Sequence, residues 1–246
     1  MTKKPIAIIG GSGFAHLLKG DKDKIETPYG DSHFLRTQIG GREVVAIKRH
    51  GIDGHKIPPH KINFRANIKA TEMLGVEGIV TTHATGIVNK DGFAPGKIVL
   101  PNAFVPHQIG INGGPVTFFD EDVHHADMGS PRDEIIYQKL LAAAEALGID
   151  VVKLATMITT PGPRYETAGE VKLFASWGMD LVGMTHAYEA ILAMELKMRI
   201  ASVAICTNYG TGIVPNAKLE HREVEEAMAI AGPQVLKMIE KALELM

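Results

Sequence analysis

Four short segments concentrate side chains able to do chemistry. Arg49-His50-Gly51 sets a guanidinium beside an imidazole, and arginine is the side chain best matched to two oxygens of a phosphate. The stretch Ile8 to Phe14, IIGGSGF, reads as an apolar strand running into a glycine-rich turn. Glycines let backbone approach an anion closely, with successive amides aimed at it, and the Ser12 hydroxyl adds a donor. The pattern is not the G-x-G-x-x-G of a dinucleotide fold, because no clear helix and acidic residue follow. A plain tight turn is the alternative. Gly162 to Thr167, GPRYET, precedes a helix. A capping box from Thr167 to Glu170 accounts for those two residues but leaves Tyr165 and Glu166 unexplained. Ile205 to Gly210 reads as a strand ending in Asn208, and ligands bind at the carboxyl ends of strands in α/β sheets. Otherwise Asn208 merely opens a turn.

Histidines need separate treatment, since the chain holds eleven. His50, His55 and His60 follow one another at intervals of five. Neither that spacing nor the surrounding residues match a usual zinc motif, and no cysteine lies close. Solvated loop histidines are the simpler account.

The elements that must position these groups follow from hydrophobic periodicity. Short apolar, β-branched runs predict strands over Pro5–Ile9, Glu43–Ile47, Glu77–Thr82, Lys97–Leu100, Val151–Thr156, Leu181–Met184 and Ile200–Thr207. Helical spacing predicts helices over Pro59–Leu74, Pro131–Leu147, Thr167–Trp177, Tyr188–Leu196 and His221–Met246. Their alternation implies an α/β fold with a largely parallel sheet. Pro101–Gly129 is expected to be irregular, and loops of that length are usually functional or disordered. No repeat or linker divides the chain, so one domain over residues 1–246 is expected.

Composition narrows the class. The formal net charge of −2 gives no reason to expect a nucleic-acid partner. No tract is long and apolar enough to span a bilayer. The start of the chain runs directly into a core strand, so no secretory leader is expected. With one cysteine, Cys206, no intrachain disulfide can form, and a reducing, cytoplasmic setting is expected.

Taken in order, GGSGF, RHG, PPHKINFRANI, the ATG of Ala84–Gly86, the PG of Pro95–Gly96, GPRYET, the GMT of Gly183–Thr185 and TNYGTGI resemble the trimeric purine nucleoside phosphorylase and methylthioadenosine phosphorylase family. The resemblance covers nearly the whole chain. It implies a single-domain, three-layer α/β fold of the phosphorylase/hydrolase type around a mixed, largely parallel sheet. It also implies a homotrimer, leaving a dimer of trimers open, with inorganic phosphate as co-substrate and no metal or other cofactor. Carried over position by position, it implies a phosphate site of Ser12, Arg49, His50, the backbone at Ala84, and Thr185. Tyr165 would lie against the base and Met184 under the ribose, while His125 would reach into a neighbouring subunit's ribose pocket. Three departures stand out: an extra residue before His55, His83 beside the phosphate loop, and Tyr188 in place of a usual proline.

Three positions bear on the nucleoside. Members acting on 6-oxopurines resemble this chain in carrying Glu and Asn at the base, here Glu166 and Asn208; methylthioadenosine phosphorylases carry Ser and Asp. An ionised carboxylate accepts the N1 proton of hypoxanthine or guanine but meets only a lone pair on adenine. His221 falls where members that act on ordinary nucleosides bond the 5′-hydroxyl; a solvated histidine is the alternative. Asn208, Glu166 and His50 are thus the expected catalytic groups. A methylthioinosine or methylthioadenosine phosphorylase is the nearest rival, and a nucleoside hydrolase or a non-catalytic nucleotide-binding module stands further off.

Overall fold

The computed structural model describes residues 3–246, except for the side chain of His221. It is a single α/β domain whose strands all join one mixed sheet. In chain order the first half comprises β1 (Ile6–Gly10), β2 (Asp21–Thr27), β3 (Gly30–Ile39), β4 (Arg42–Lys48), α1 (Phe64–Met73), β5 (Gly78–Ile87), β6 (Ile98–Val99) and β7 (Ala103–Pro106). The second half comprises α2 (Glu134–Leu147), β8 (Val151–Val152), β9 (Thr156–Thr159), α3 (Ala168–Ser176), β10 (Leu181–Gly183), α4 (His186–Glu195), β11 (Ile200–Tyr209) and α5 (His221–Glu244). Parallel pairings outnumber antiparallel ones, which gives the mixed, largely parallel sheet expected.

Alternation along β1 shows the three layers directly. Ile6 and Ile8 pack with Ile136 and Leu140 of α2 and Val235 and Met238 of α5. Ala7 and Ile9 point the other way, into a cluster with Phe64 and Ile68 of α1 and Tyr188 and Leu192 of α4. A strand buried on both faces must be apolar at every position, which is why β1 was legible as a continuous run. Tyr188, at the position where the family usually has proline, is buried and stacks flat on Phe64 with ring centroids 4.3 Å apart.

Departures from the expected elements have local causes. Strands β2 and β3 form an antiparallel hairpin at the sheet edge. Strand β2 reads DKDKIET and is mostly exposed, so it shows no apolar run; its outward lysines suit an edge that must not recruit another strand. The expected strand Val151–Thr156 divides in two. Strand β8 pairs with β6, whereas β9 pairs with β10 and β7, so the chain changes neighbours at residues 153–155. Strand β7 lies inside the stretch expected to be irregular. The helix expected from Pro59 begins later: Pro59–Lys61 is a 3-10 turn, and Asn63 caps α1 by accepting from the Ala66 amide at 3.0 Å. Among the described residues no helix is long and apolar enough to cross a membrane.

Strand β5 positions the site. Its first residues, Gly78–Thr81, pair in parallel with β1, while Gly86 and Ile87 pair on the same edge with antiparallel β10. The other edge is covered almost throughout by β11. Between Thr81 and Gly86 the two neighbours have parted, and strand pairing leaves the edge open. Such divergence points are where open α/β sheets bind ligands.

Candidate active site

Arg49 fills the base of this opening. It follows β4, and its amide donates to the Gly10 carbonyl at 3.1 Å, so the chain leaves β4 beside the end of β1. The guanidinium is buried. Its Nη1 donates to the Thr82 carbonyl at 2.6 Å, satisfying part of the unpaired β5 edge. Its Nε and Nη2 donate to the two carboxylate oxygens of Glu189, each at 2.7 Å. Glu189 sits in the first turn of α4 and is as deeply buried as its partner. Burial pushes the Glu189 carboxyl up and Arg49 opposes that shift; with bidentate contact to a guanidinium, the pair is ionised. Arg49 Nη2 also donates to the Ile9 carbonyl at 3.4 Å, so four of the five guanidinium protons are spent within the protein and one Nη1 proton is left for a ligand. Gly11 makes the approach possible, because a methyl at that position would run into Arg49 Nη1.

Above this pair lies a cavity of about 360 Å³. Ser12, Arg49, His50, Ala84 and Thr185 line it. His50 Nδ1 lies 2.8 Å from the Ile57 carbonyl. A carbonyl can only accept, so Nδ1 carries the proton. His55 stacks on His50 with centroids 4.1 Å apart and also lines the cavity. His60 lies in the 3-10 turn and lines a different depression. Thr185 occupies the N-cap position of α4, and helix N-termini favour anions.

Tyr165, Glu166, Met184 and Asn208 line the same cavity. Thr167 and Glu170 do form the expected capping box of α3, which leaves Glu166 free to turn inward. It is buried and accepts from Thr160 Oγ1 at 2.7 Å. Burial raises the Glu166 carboxyl above the ordinary carboxylate range. Asn208 follows a bulge: the register of β11 against β5 shifts between Cys206 and Asn208, and bulges re-aim side chains beside sites. Thr207 Oγ1 donates to Asn208 Oδ1 at 2.8 Å, and Asn208 Nδ2 donates to the Tyr209 carbonyl at 3.1 Å. These contacts fix which way the amide points and leave one Nδ2 proton for a ligand. Gly162, at φ +62°, lets its loop close on Met184; a Cβ there would lie 2.6 Å from the Met184 sulfur.

One cavity thus collects nine of the expected site residues. His125 is elsewhere, exposed in a depression with His124, Asp127 and Arg199. The His221 side chain lies outside the described residues. Sequence reasoning missed Glu189, which reads there as an ordinary acid on a helix. A signal did exist: it stands four residues after Thr185, one helical turn down the same face.

A profile of the Phosphorylase superfamily matches residues 5–244. The chain belongs to that superfamily. It is 40% identical to the 6-oxopurine nucleoside phosphorylase of Pyrococcus furiosus, over 98% of this chain and 92% of the relative. It is 39% identical to the probable S-methyl-5′-thioinosine phosphorylase of Methanopyrus kandleri, over 97% and 91%. Among solved structures, the methylthioadenosine phosphorylase of Schistosoma mansoni bound to adenine superposes with a TM-score of 0.90 at 29% identity, covering 100% of this chain and 92% of that one.

Removing one member of a buried ion pair strands the other charge. Glu189→Gln should therefore lower unfolding free energy by about 3 kcal/mol, read by denaturant titration. A loss within about 0.5 kcal/mol, the range of ordinary surface substitutions, would show that Arg49 is held by its carbonyl contacts alone.

Proposed function

We propose that this protein is a purine nucleoside phosphorylase that cleaves 6-oxopurine nucleosides, inosine and guanosine, and transfers the pentosyl group to inorganic phosphate. The carrying observation is that a single cavity is lined both by groups suited to an anion, Ser12, Arg49, His50 and Thr185, and by the buried pair Glu166 and Asn208. Ser12, the Ala84 backbone, Thr185, His50 and the remaining Nη1 proton of Arg49 surround the phosphate. Tyr165 packs on the base and Met184 lies under the ribose.

In the reaction the C1′–N9 bond breaks and a C1′–O bond to phosphate forms. The purine leaves with the bonding pair and takes up a proton. Phosphate beneath the sugar stabilises the oxocarbenium character at C1′ before attacking it. Asn208 donates to N7 or O6 as charge builds on the base, and Glu166 accepts from N1–H. Catalysis is by positioning and preorganised electrostatics, without a covalent enzyme intermediate. The reading calls for no metal or other cofactor. It places the enzyme in purine salvage in the cytoplasm, in keeping with a lone, buried thiol at Cys206. Asparagine suits position 208 because an aspartate would set a carboxylate oxygen against the Tyr209 carbonyl.

A second reading has its own support. Leu219 and Val224, which flank the start of α5, line the same cavity, and apolar walls there would accept a 5′-methylthio group. Under the main reading His221 bonds the 5′-hydroxyl. A panel of inosine, guanosine, adenosine and 5′-methylthioinosine, with and without phosphate and read by released base, separates these cases. Inosine and guanosine should exceed adenosine in kcat/KM by on the order of a hundredfold or more, and only with phosphate present. Adenosine cleaved as well as inosine would overturn the base assignment. Cleavage without phosphate would indicate a hydrolase, and 5′-methylthioinosine outrunning inosine would favour the second reading.

The raised Glu166 carboxyl gives this preference a pH dependence. Burial is the main cause; Glu170 adds to it, while Thr160 and Arg164 oppose it. As pH falls through the raised value, Glu166 gains a proton, accepts less strongly from N1–H and becomes able to donate to adenine N1. The inosine-to-adenosine ratio of kcat/KM should fall toward acid pH, and Glu166→Gln should flatten the profile. A ratio independent of pH in the wild type would contradict this role.

The resemblance also leads us to propose a homotrimer in which His125 completes a neighbour's ribose site. Sedimentation should give a trimer or a multiple of it. His125→Ala should raise the nucleoside KM several-fold while leaving assembly intact. A fully active monomer at assay dilution would refute this arrangement.

A further inference from the structure

His83 lies in the open part of the β5 edge, is buried, and does not itself line the cavity. Both of its ring nitrogens are engaged by hydroxyls. Nε2 is 2.8 Å from Thr81 Oγ1, which is 2.9 Å from Ser202 Oγ. Nδ1 is 2.9 Å from Thr185 Oγ1, and Thr185 does line the cavity. The four side chains form an unbroken chain of hydrogen bonds from β11 to the cavity.

Such a chain can run in only two directions, because a neutral imidazole has one donor and one acceptor nitrogen. The ring is neutral: burial, Arg49 and His186 hold its pKa well below the ordinary histidine value. In one direction Thr185 gives its proton to Nδ1, and its oxygen then faces the cavity only as an acceptor. A phosphate dianion is repelled by that arrangement. In the other direction Ser202 donates to Thr81, Thr81 to Nε2, and Nδ1–H to Thr185, which frees the Thr185 proton for the phosphate. Glu189 Oε2 lies 3.8 Å from Nε2 and would draw a proton to that nitrogen. Its charge, however, is already matched by the bidentate Arg49. The nearby His186 ring meets His83 edge-on and adds no hydrogen bond to it.

Resting on the phosphorylase reading of the cavity, we propose that His83 is a positioning residue that orients the Thr185 hydroxyl as a donor to phosphate by holding its own proton on Nδ1. It touches neither substrate and acts through Thr185. Its substitution therefore weakens phosphate binding selectively and leaves the nucleoside end intact.

The deciding experiment is a long-range ¹H–¹⁵N spectrum of histidine-labelled protein saturated with inorganic phosphate. His83 is assigned by the signals that vanish in His83→Asn. The expected result is a protonated Nδ1 and a bare Nε2. A protonated Nε2 in the phosphate-saturated protein would overturn the proposal. Kinetics supply the second arm. His83→Leu should raise the KM for phosphate by about tenfold, the size expected for one lost hydrogen bond at a buried site, with the KM for inosine within about twofold. His83→Asn, whose amide can stand in for Nδ1–H, should recover most of the loss. An unchanged phosphate KM in folded His83→Leu would also refute the role. The phosphorylase reading fails separately, if the wild-type protein releases no base in the presence of phosphate.

Discussion

Strand β5 cannot keep one neighbour along its whole edge, and Arg49 stands where the neighbours part. Strand β1 follows β5 only as far as Thr81, and β10 joins it again at Gly86. The backbone between them needs hydrogen-bond partners, because buried carbonyls left unpaired are costly. Arg49 supplies one at Thr82 and is fixed in turn by Glu189 from α4. That pair ties the end of β4, the edge of β5 and the first turn of α4 to one another. Gly11, Ala84, Thr185 and His83 take their places around it.

The same pairing governs the electrostatics. A lone buried guanidinium would be expensive in the empty protein. Glu189 cancels its charge, so the cavity can stand empty without an uncompensated cation. Under the proposed function a phosphate is then met mainly by dipoles: a backbone amide, hydroxyls and the N-terminus of α4. Preorganised dipoles cost no reorganisation when charge moves during reaction. The residues proposed for the base follow a related rule. Glu166 accepts from Thr160, and Asn208 is held on both sides of its amide by Thr207 and the Tyr209 carbonyl; these contacts orient what remains.

Much of this was legible in the sequence, for identifiable reasons. Strands buried on both faces, such as β1 and β11, are continuous apolar runs that no other element resembles at that length. Residues that line the cavity, Ser12, Arg49 and His50, stood out as Gly-Gly-Ser after a strand and as Arg-His before a glycine. What stayed hidden lies in relations between distant segments. Strand β2 is charged because it faces water, so no apolar run marks it. Residues 151–159 change sheet neighbours partway, which local pattern cannot register. Glu189 and His83 take their roles only from what stands opposite them, Arg49 at a separation of 140 residues in the first case and Thr185 at 102 in the second. The bulge before Asn208 likewise depends on how β11 meets β5.

The central claim is that one cavity, opened where β1 and β10 diverge, holds phosphate and a purine base at its two ends. A crystal structure of the protein with inorganic phosphate and hypoxanthine tests it most directly, since the two ligands cannot react without a sugar. The account predicts phosphate within hydrogen-bond distance of Ser12, the Ala84 backbone and Thr185, and the base between Glu166 and Asn208 with its N1 toward the carboxylate. Phosphate bound away from the Arg49–Glu189 pair, or a base that makes no contact with Glu166, would contradict it.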